Sequence, residues 1–590
     1  VNNRRFKLVS LKGDATFENG IISFPRTFAP RPMERFYRTS FCSFAAATQT
    51  YANCDTNLEY AARRLTNSRF AKVVTARNPR ATRQELEDLC EVMEKEYTRN
   101  QEVFVIENEA FFLHLAHTLE SSVQEYLGRV EENRIHHADP HPKRMPRIHA
   151  TAELYENGRI WGENWMDSDK RGRPKLPYAV KPQEHAKVGK LPRGIGNLGT
   201  HASLAGYRIT GALKDEMARE PLRWNGGVFQ FVKSPTAVAL DNVFERLYDP
   251  QGFYFVYHSD DSCVSWTLNG VTRRYNVDIT SCDSSHRANG CFVALMKSVP
   301  PRVAHDIRIL VDQLRATVHI NSRSAGHGVR LKTSDNGPFL ASGSTLTTFI
   351  NNVACLGIGL AIQLGNDNSP AGIIAAAKRF GYVITLDEVV DFHGMQFLKN
   401  SPVRVDGTWK AFQNIGVLTR LSGQCPGDLP GRGPIVDRAL DFQRQLVTST
   451  YSGVSFPLID RMRAMVGGPS STVDSQTTAA HQKVIDRILL FKHYDRTDTI
   501  VVSPEEAYAR YTRVCFLSHD AFSTTTTPNR TCTQAEIDNL HEMVSEMEIG
   551  DVIACPAVDV FLNVDYGMDT FIGDPSYQLP HYVREPTAPV

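Results

Sequence analysis

Two neighbouring carboxylates, Asp260 and Asp261, stand seventeen positions ahead of a third, Asp278. Between them lies Asn269-Gly270, flanked by apolar, β-branched and aromatic runs, Cys263–Leu268 before it and Val271–Asp278 after it. Asn-Gly in that setting predicts a two-residue hairpin turn, because both central residues of such a turn take positive φ. Leu268 then faces Val271, and counting seven places outward along each strand sets Asp261 opposite Asp278. Directly opposed residues bring their Cβ atoms to about 4.5–5.5 Å, and like charges at that distance are destabilising unless something neutralises them. A divalent cation does so. A bulge would shift the register by one and make Asp260 the facing member. Mg²⁺ takes oxygen ligands, and phosphoryl transfer at a nucleic-acid 3′ end is helped by two ions about 3.5–4 Å apart. The expectation is a site for two Mg²⁺ or Mn²⁺ ions on Asp260, Asp261 and Asp278; the plain alternative for Asp-Asp at a turn is solvent exposure.

The elements around these residues have to hold them. Phe253-Tyr-Phe-Val-Tyr257 reads as a strand leading into Ser259-Asp260-Asp261. Helices are expected around 286–298, 303–318 and 371–380, and strands at Tyr382–Thr385 and Met395–Lys399. Thr345–Leu364 is the longest apolar stretch, but Asn351, Asn352 and Gln363 lie within it. Amides of that kind are unfavourable in a bilayer, so a buried helix of a soluble protein is expected and no membrane span. Thr82-Arg-Gln-Glu85 has the form of a capping box and predicts a helix start, with a second helix over Glu107–Leu127. The Pro-, Gly- and His-rich stretch 136–192 reads as loop. Helices are expected at 435–465, 475–493 and from Thr533-Gln-Ala-Glu536 to about 548, while residues 1–80 give no clear signal.

Composition narrows the class. The 590 residues suggest about three to five domain-sized units, and 42% apolar with 22% charged residues is ordinary for a globular protein. The net charge of +1 announces no nucleic-acid partner, but its distribution says more. Lys170–Arg193 holds eight Lys or Arg and one acid, Glu184, whereas Glu542–Val590 holds nine acids and one base, Arg584. That pattern suits one local anion-binding surface. Eleven scattered cysteines without a Cys-x-x-Cys pair read as reduced thiols of a cytosolic protein, and the opening residues carry no signal-peptide pattern. His137-x₃-His141 lacks nearby Cys partners for zinc, and Gly194-Ile-Gly-Asn-Leu-Gly199 lacks a clear preceding strand for a dinucleotide site.

Ser259-Asp-Asp261, Asp278-x₄-Asp283 and Ser342-Gly343-x₃-Thr347-x₃-Asn351 resemble motifs C, A and B of the palm of viral RNA-dependent RNA polymerases, in the permuted order C-A-B. The permuted polymerases of permutotetraviruses are most similar and those of birnaviruses second, because birnavirus motif C typically reads Ala-Asp-Asn. The resemblance implies metal binding by Asp278, Asp260 and Asp261, with Ile279 beside them, and nucleotide contacts from Asp283, Ser342, Gly343, Thr347 and Asn351. Asp283 and Asn351 would read the ribose, whose 2′-hydroxyl both donates and accepts. Lys181-Pro-Gln-Glu184 and Lys190-Leu-Pro-Arg193 are similar to motif F, so Lys181, Lys190 and Arg193 would bind the triphosphate, a task suited to Arg. Ala371–Thr385 resembles motif D without its usual lysine, leaving Lys378 as candidate general acid and His393 as another. Met395–Lys399 resembles motif E, so Phe397 and Lys399 would grip the primer or RNA strand. Gly365-Asn-Asp-Asn368 is a rival for motif C in the usual order.

The expected fold is therefore α+β: a right-hand polymerase of fingers, palm and thumb with a small antiparallel palm sheet. The expected division is an unassigned extension at 1–80, fingers at 81–230, palm at 231–415 with a fingers insertion near 287–335, a helical thumb at 416–548 and an acidic tail at 549–590. The resemblance implies templated addition of ribonucleoside triphosphates to an RNA 3′ end. It further implies an RNA template and product as partners, self-association or capsid and replication proteins as others, and a place in the host-cell cytoplasm or the virion. Self-nucleotidylation as a protein primer and a non-catalytic RNA-binding or packaging role are the alternatives.

Overall fold

The computed structural model describes residues 5–413 except 19–20, 24–34, 38–41, 45–47, 51–61, 63, 133–169, 172, 181–192, 234, 236, 260, 287–289, 322–325, 336 and 406. Beyond 413 it describes 454–455, 515–516, 534–546 and 551–553. The expected helices at 435–465 and 475–493 otherwise lie outside the described residues, as do His137, His141 and nearly all of the acidic tail. Within the first, Val454–Ser455 is instead a short strand paired with Cys515–Phe516.

A six-stranded sheet forms the centre. Its strands are β1 (Leu222–Trp224), β2 (Gly227–Phe231), β3 (Phe253–His258), β4 (Asp261–Leu268), β5 (Val271–Ile279) and β6 (Ile384–Glu388), and spatial order follows chain order. Every neighbouring pair is antiparallel except β2–β3, which is parallel. The expected sheet was antiparallel throughout; the exception arises because the helix Ala237–Tyr248 carries the chain back between those two strands, as a parallel pair requires. β3 is apolar without interruption because both of its faces are covered. Phe253, Phe255 and Tyr257 enter the large core, and Tyr254 and Val256 enter a second core with Phe244, Leu247 and Trp409. This is the period of two that a strand imposes.

The β4–β5 turn is Asn269-Gly270, with φ of 52° and 77°, and Leu268 pairs with Val271. The large core is threaded by the helix Leu346–Gly365, apolar on all sides and buried from Phe349 to Ile362. By length and composition it could cross a membrane, yet 78% of its apolar window is buried inside the protein. Gly359 lets the helix lie on Phe255, 2.9 Å from where a Cβ would stand, and Gly357 does the same for Phe380 at 2.0 Å. Outside this core runs the helix Arg83–Glu107, started by the Thr82–Glu85 capping box as the sequence predicts, and Glu109–Glu132 follows it.

A second sheet of five strands takes the order Phe6–Lys12, Gly328–Thr333, Thr317–Asn321, Lys175–Val180, Gly194–Gly196. It draws strands from both the stretch left unassigned and the stretch read as loop. Neither was legible locally, since each pairs with residues far along the chain. The basic segment 181–192 is the connection between its last two strands, paired antiparallel from Tyr178↔Gly196 to Val180↔Gly194.

Candidate active site

The hairpin register places Asp261 directly opposite Asp278. Asp278 is exposed and Asp261 half-buried, so the pair faces solvent at one end of the sheet. Asp260 lies outside the described residues. Among the described residues no three His, Cys, Asp or Glu side chains gather as a metal site. The facing pair nevertheless suits a hard cation in donor type, because it offers only oxygen and two like charges. Ile279 is buried and pairs with Ile384, so its backbone carbonyl is the only oxygen it can offer.

Tertiary packing adds a support that the sequence reading missed. Asn276 donates to Asp387 Oδ2 at 3.1 Å and Gly394 O at 3.0 Å and accepts from Gln396 N at 2.9 Å and Cys263 Sγ at 3.6 Å. Cys263 Sγ donates to Gln396 O at 3.0 Å. These bonds fasten 394–396 to the sheet, and the chain then turns through Leu398 and Lys399 with φ of 51° and 58°. The turn delivers Leu398 N–H to Asp261 Oδ2 at 2.8 Å. Met395–Lys399 is thus a turn and not the expected strand, which begins at Asn400 and pairs with Thr408–Gln413. Phe397 is fully buried in one cluster with Met395, Trp409 and Val256, so its ring supports the turn. Lys399 is exposed on the turn.

Ser259 takes a φ of 54°, in the left-handed region that glycine enters most readily. The core helix holds it there. Asn352 Oδ1 accepts from Ser259 N, and Cys355 Sγ donates to Ser259 O. Asn351 Nδ2 donates to Ser259 Oγ at 3.2 Å. The polar amides that excluded a membrane span therefore anchor the carboxylate turn. Asn352→Leu leaves Ser259 N–H without that acceptor and is expected to cost about 1–3 kcal/mol. Denaturant unfolding of the two proteins measures it.

The expected ribose-reading residues come together. Asn351 Nδ2 also donates to Asp283 Oδ1 at 3.2 Å, and Ser342 Oγ donates to Asp283 Oδ2. Gly343 has a φ of 106°, and a Cβ there would lie 2.5 Å from Gly196 O. Gly196 N donates to Ser342 O at 2.7 Å. That bond ties the Ser342-Gly343 loop to the strand that follows the basic segment, at whose foot Arg193 is exposed. Lys181 and Lys190 lie outside the described residues. Thr347 Oγ1 donates to Ala341 O at 3.1 Å and so closes the loop.

Two further candidates each meet a carboxylate. Lys378 Nζ sits 3.2 Å from Glu96 and over the Tyr97 ring. Its ammonium pairs with the helix Arg83–Glu107. His393 Nδ1 is 2.9 Å from Asp391 Oδ1. The rival string Gly365–Asn368 ends the core helix: Asp367 Oδ1 accepts from Ser369 N, and Asn368 Nδ2 donates to Trp266 O and Val271 O. Its side chains clamp the hairpin.

No protein-family model matches the chain, and neither does any curated protein. Solved structures do match in part. The birnavirus VP1–VP3 complex aligns at 12% identity and a TM-score of 0.36, over 68% of this chain and 59% of that one. The RNA polymerase VP1 from Infectious Pancreatic Necrosis Virus aligns at 12% and 0.35, over 71% and 61%. The RNA-dependent RNA polymerase of a human picorbirnavirus aligns at 12% and 0.34, over 57% and 61%. The chain spans about six tenths of the length of each.

Proposed function

We propose that this protein is an RNA-directed RNA polymerase that adds ribonucleotides to an RNA 3′ end by a two-metal mechanism in replicating a viral RNA genome. The observation that carries the reading is the Asp261↔Asp278 pairing, met by the Ser342–Asp283–Asn351 cluster. One group can neutralise phosphate charge and the other can read a sugar.

Asp261, Asp278 and, by sequence, Asp260 would hold Mg²⁺ or Mn²⁺, with the Ile279 carbonyl beside them. Such ions neutralise transferring phosphate and favour the 3′-alkoxide. The protein's own groups do the rest. Leu398 N–H keeps one oxygen of Asp261 in place. Asp283 accepts a hydrogen bond from a 2′-hydroxyl while Asn351 or Ser342 donates to it, so a deoxyribose leaves these groups unmatched. Lys181, Lys190 and Arg193 offset the charge of the triphosphate, and Lys399 meets the backbone of the growing strand. Asp260-Asp261, where birnavirus polymerases typically read Asp-Asn, supports a resemblance to permutotetravirus polymerases. Its partners are RNA template and product, nucleoside triphosphates, and replication or capsid proteins in the host-cell cytoplasm.

Primer extension on an RNA template with Mn²⁺ tests the reading. Product is expected from the unmodified protein and not from Asp260→Ala or Asp261→Ala. Label transferred from GTP to the protein without template would mark self-nucleotidylation instead. No product on any template would overturn the polymerase reading.

A further inference from the structure

His286 lies just past the Asp278-x₄-Asp283 string and is fully buried. Its Nε2 is 2.7 Å from Asn351 Oδ1, and its Nδ1 is 2.8 Å from Tyr382 OH. The direction of these bonds follows from their neighbours. Asp283 only accepts, so the Asn351 group facing it is Nδ2; Oδ1 then accepts from the Cys282 thiol at 3.4 Å and meets His286 Nε2 at 2.7 Å, where two acceptors would repel. Nε2 therefore carries the proton, and Nδ1 accepts from the Tyr382 hydroxyl. Burial also favours a neutral ring, lowering His286 to about 4, and holds the Tyr382 hydroxyl well above its ordinary range. Donors thus run one way, from Tyr382 through His286 and Asn351 to Asp283. In a buried chain such bonds reinforce one another.

We propose that His286 is a positioning residue for sugar selection, holding the Asn351 amide with Nδ2 toward Asp283 and Tyr382 holding its tautomer. The inference rests on the polymerase reading above. A flipped Asn351 would set its oxygen against the Asp283 carboxylate and its NH₂ against the Nε2 proton. Both contacts are repulsive, so the histidine keeps the donor–acceptor pair preset for a 2′-hydroxyl. The tautomer itself depends on Tyr382, since without that hydroxyl the ring proton can move to Nδ1.

The test is the ratio of incorporation efficiency, kcat/KM, for a ribonucleotide over its deoxy counterpart. His286→Leu is expected to lower the ratio about tenfold through loss on the ribonucleotide side, leaving deoxynucleotide efficiency within about twofold, on the scale of one hydrogen bond. Tyr382→Phe, which keeps the packing, is expected to lower it about threefold. His286→Gln, whose amide can still donate to Asn351, is expected to restore most of it. An unchanged ratio in folded Tyr382→Phe, or efficiencies that fall together for both sugars in His286→Leu, would overturn the proposal. If His286→Leu does not fold, Tyr382→Phe and His286→Gln decide. An unmodified protein without activity overturns the polymerase reading itself; an active one with unmoved ratios overturns only the role of His286.

Discussion

Asp278→Asn is expected to lower templated RNA synthesis by about a thousandfold or more while leaving the fold as stable as before, or slightly more so. Asp278 is exposed and faces half-buried Asp261 across the hairpin. Opposed like charges cost about 0.2–1 kcal/mol, and the substitution removes that repulsion without emptying any core position. The same repulsion predicts how cations act. In the unmodified protein Mg²⁺ or Mn²⁺ should raise the melting temperature, as a cation held only by the folded pair would. In Asp278→Asn that rise should shrink sharply. Melting curves with and without cation, read beside primer extension, separate the roles. Cation stabilisation that persisted in the variant alongside normal synthesis would remove Asp278 from the site.

The second large effect lies in the core, away from any charge. Gly357→Val is expected to destabilise the protein by about 3 kcal/mol and to lower activity through displacement of the core helix. A Cβ at Gly357 would stand 2.0 Å from Phe380 Cε2, and that ring is itself packed against Phe104, Phe112 and Tyr382. Overpacking a dense core typically costs about 1–3 kcal/mol, and here the ring has buried neighbours on several sides. The helix that would shift carries Asn351 and Asn352, so the Ser259 turn and the Ser342–Asp283–Asn351 cluster move with it. A lower unfolding midpoint in denaturant with unchanged slope would show the effect. Near-normal stability would mean the Phe380 ring can move aside.

The carboxylate pairing was legible in the sequence because everything that sets it is local. Asn269-Gly270 dictates the turn, apolar runs flank it, and seven residues on either side fix the opposition of Asp261 and Asp278. The capping box at Thr82 and the apolar helix Leu346–Gly365 were legible for the same reason. Asp283, Ser342 and Asn351 were named by resemblance, and their meeting needed only that two strings approach. Only the tertiary structure decided what holds those groups in place. Leu398 N–H reaches Asp261 from 137 positions away, and His286 joins Asn351 and Tyr382 across 65 and 96 positions. Such bonds leave no period and no spacing in the chain. They appear when packing brings distant strands and helices together and buried polar groups must find partners. The burial of Phe397 and the Lys378–Glu96 ion pair were illegible on the same ground: a sequence shows which side chain is near a motif, but packing decides which way it turns.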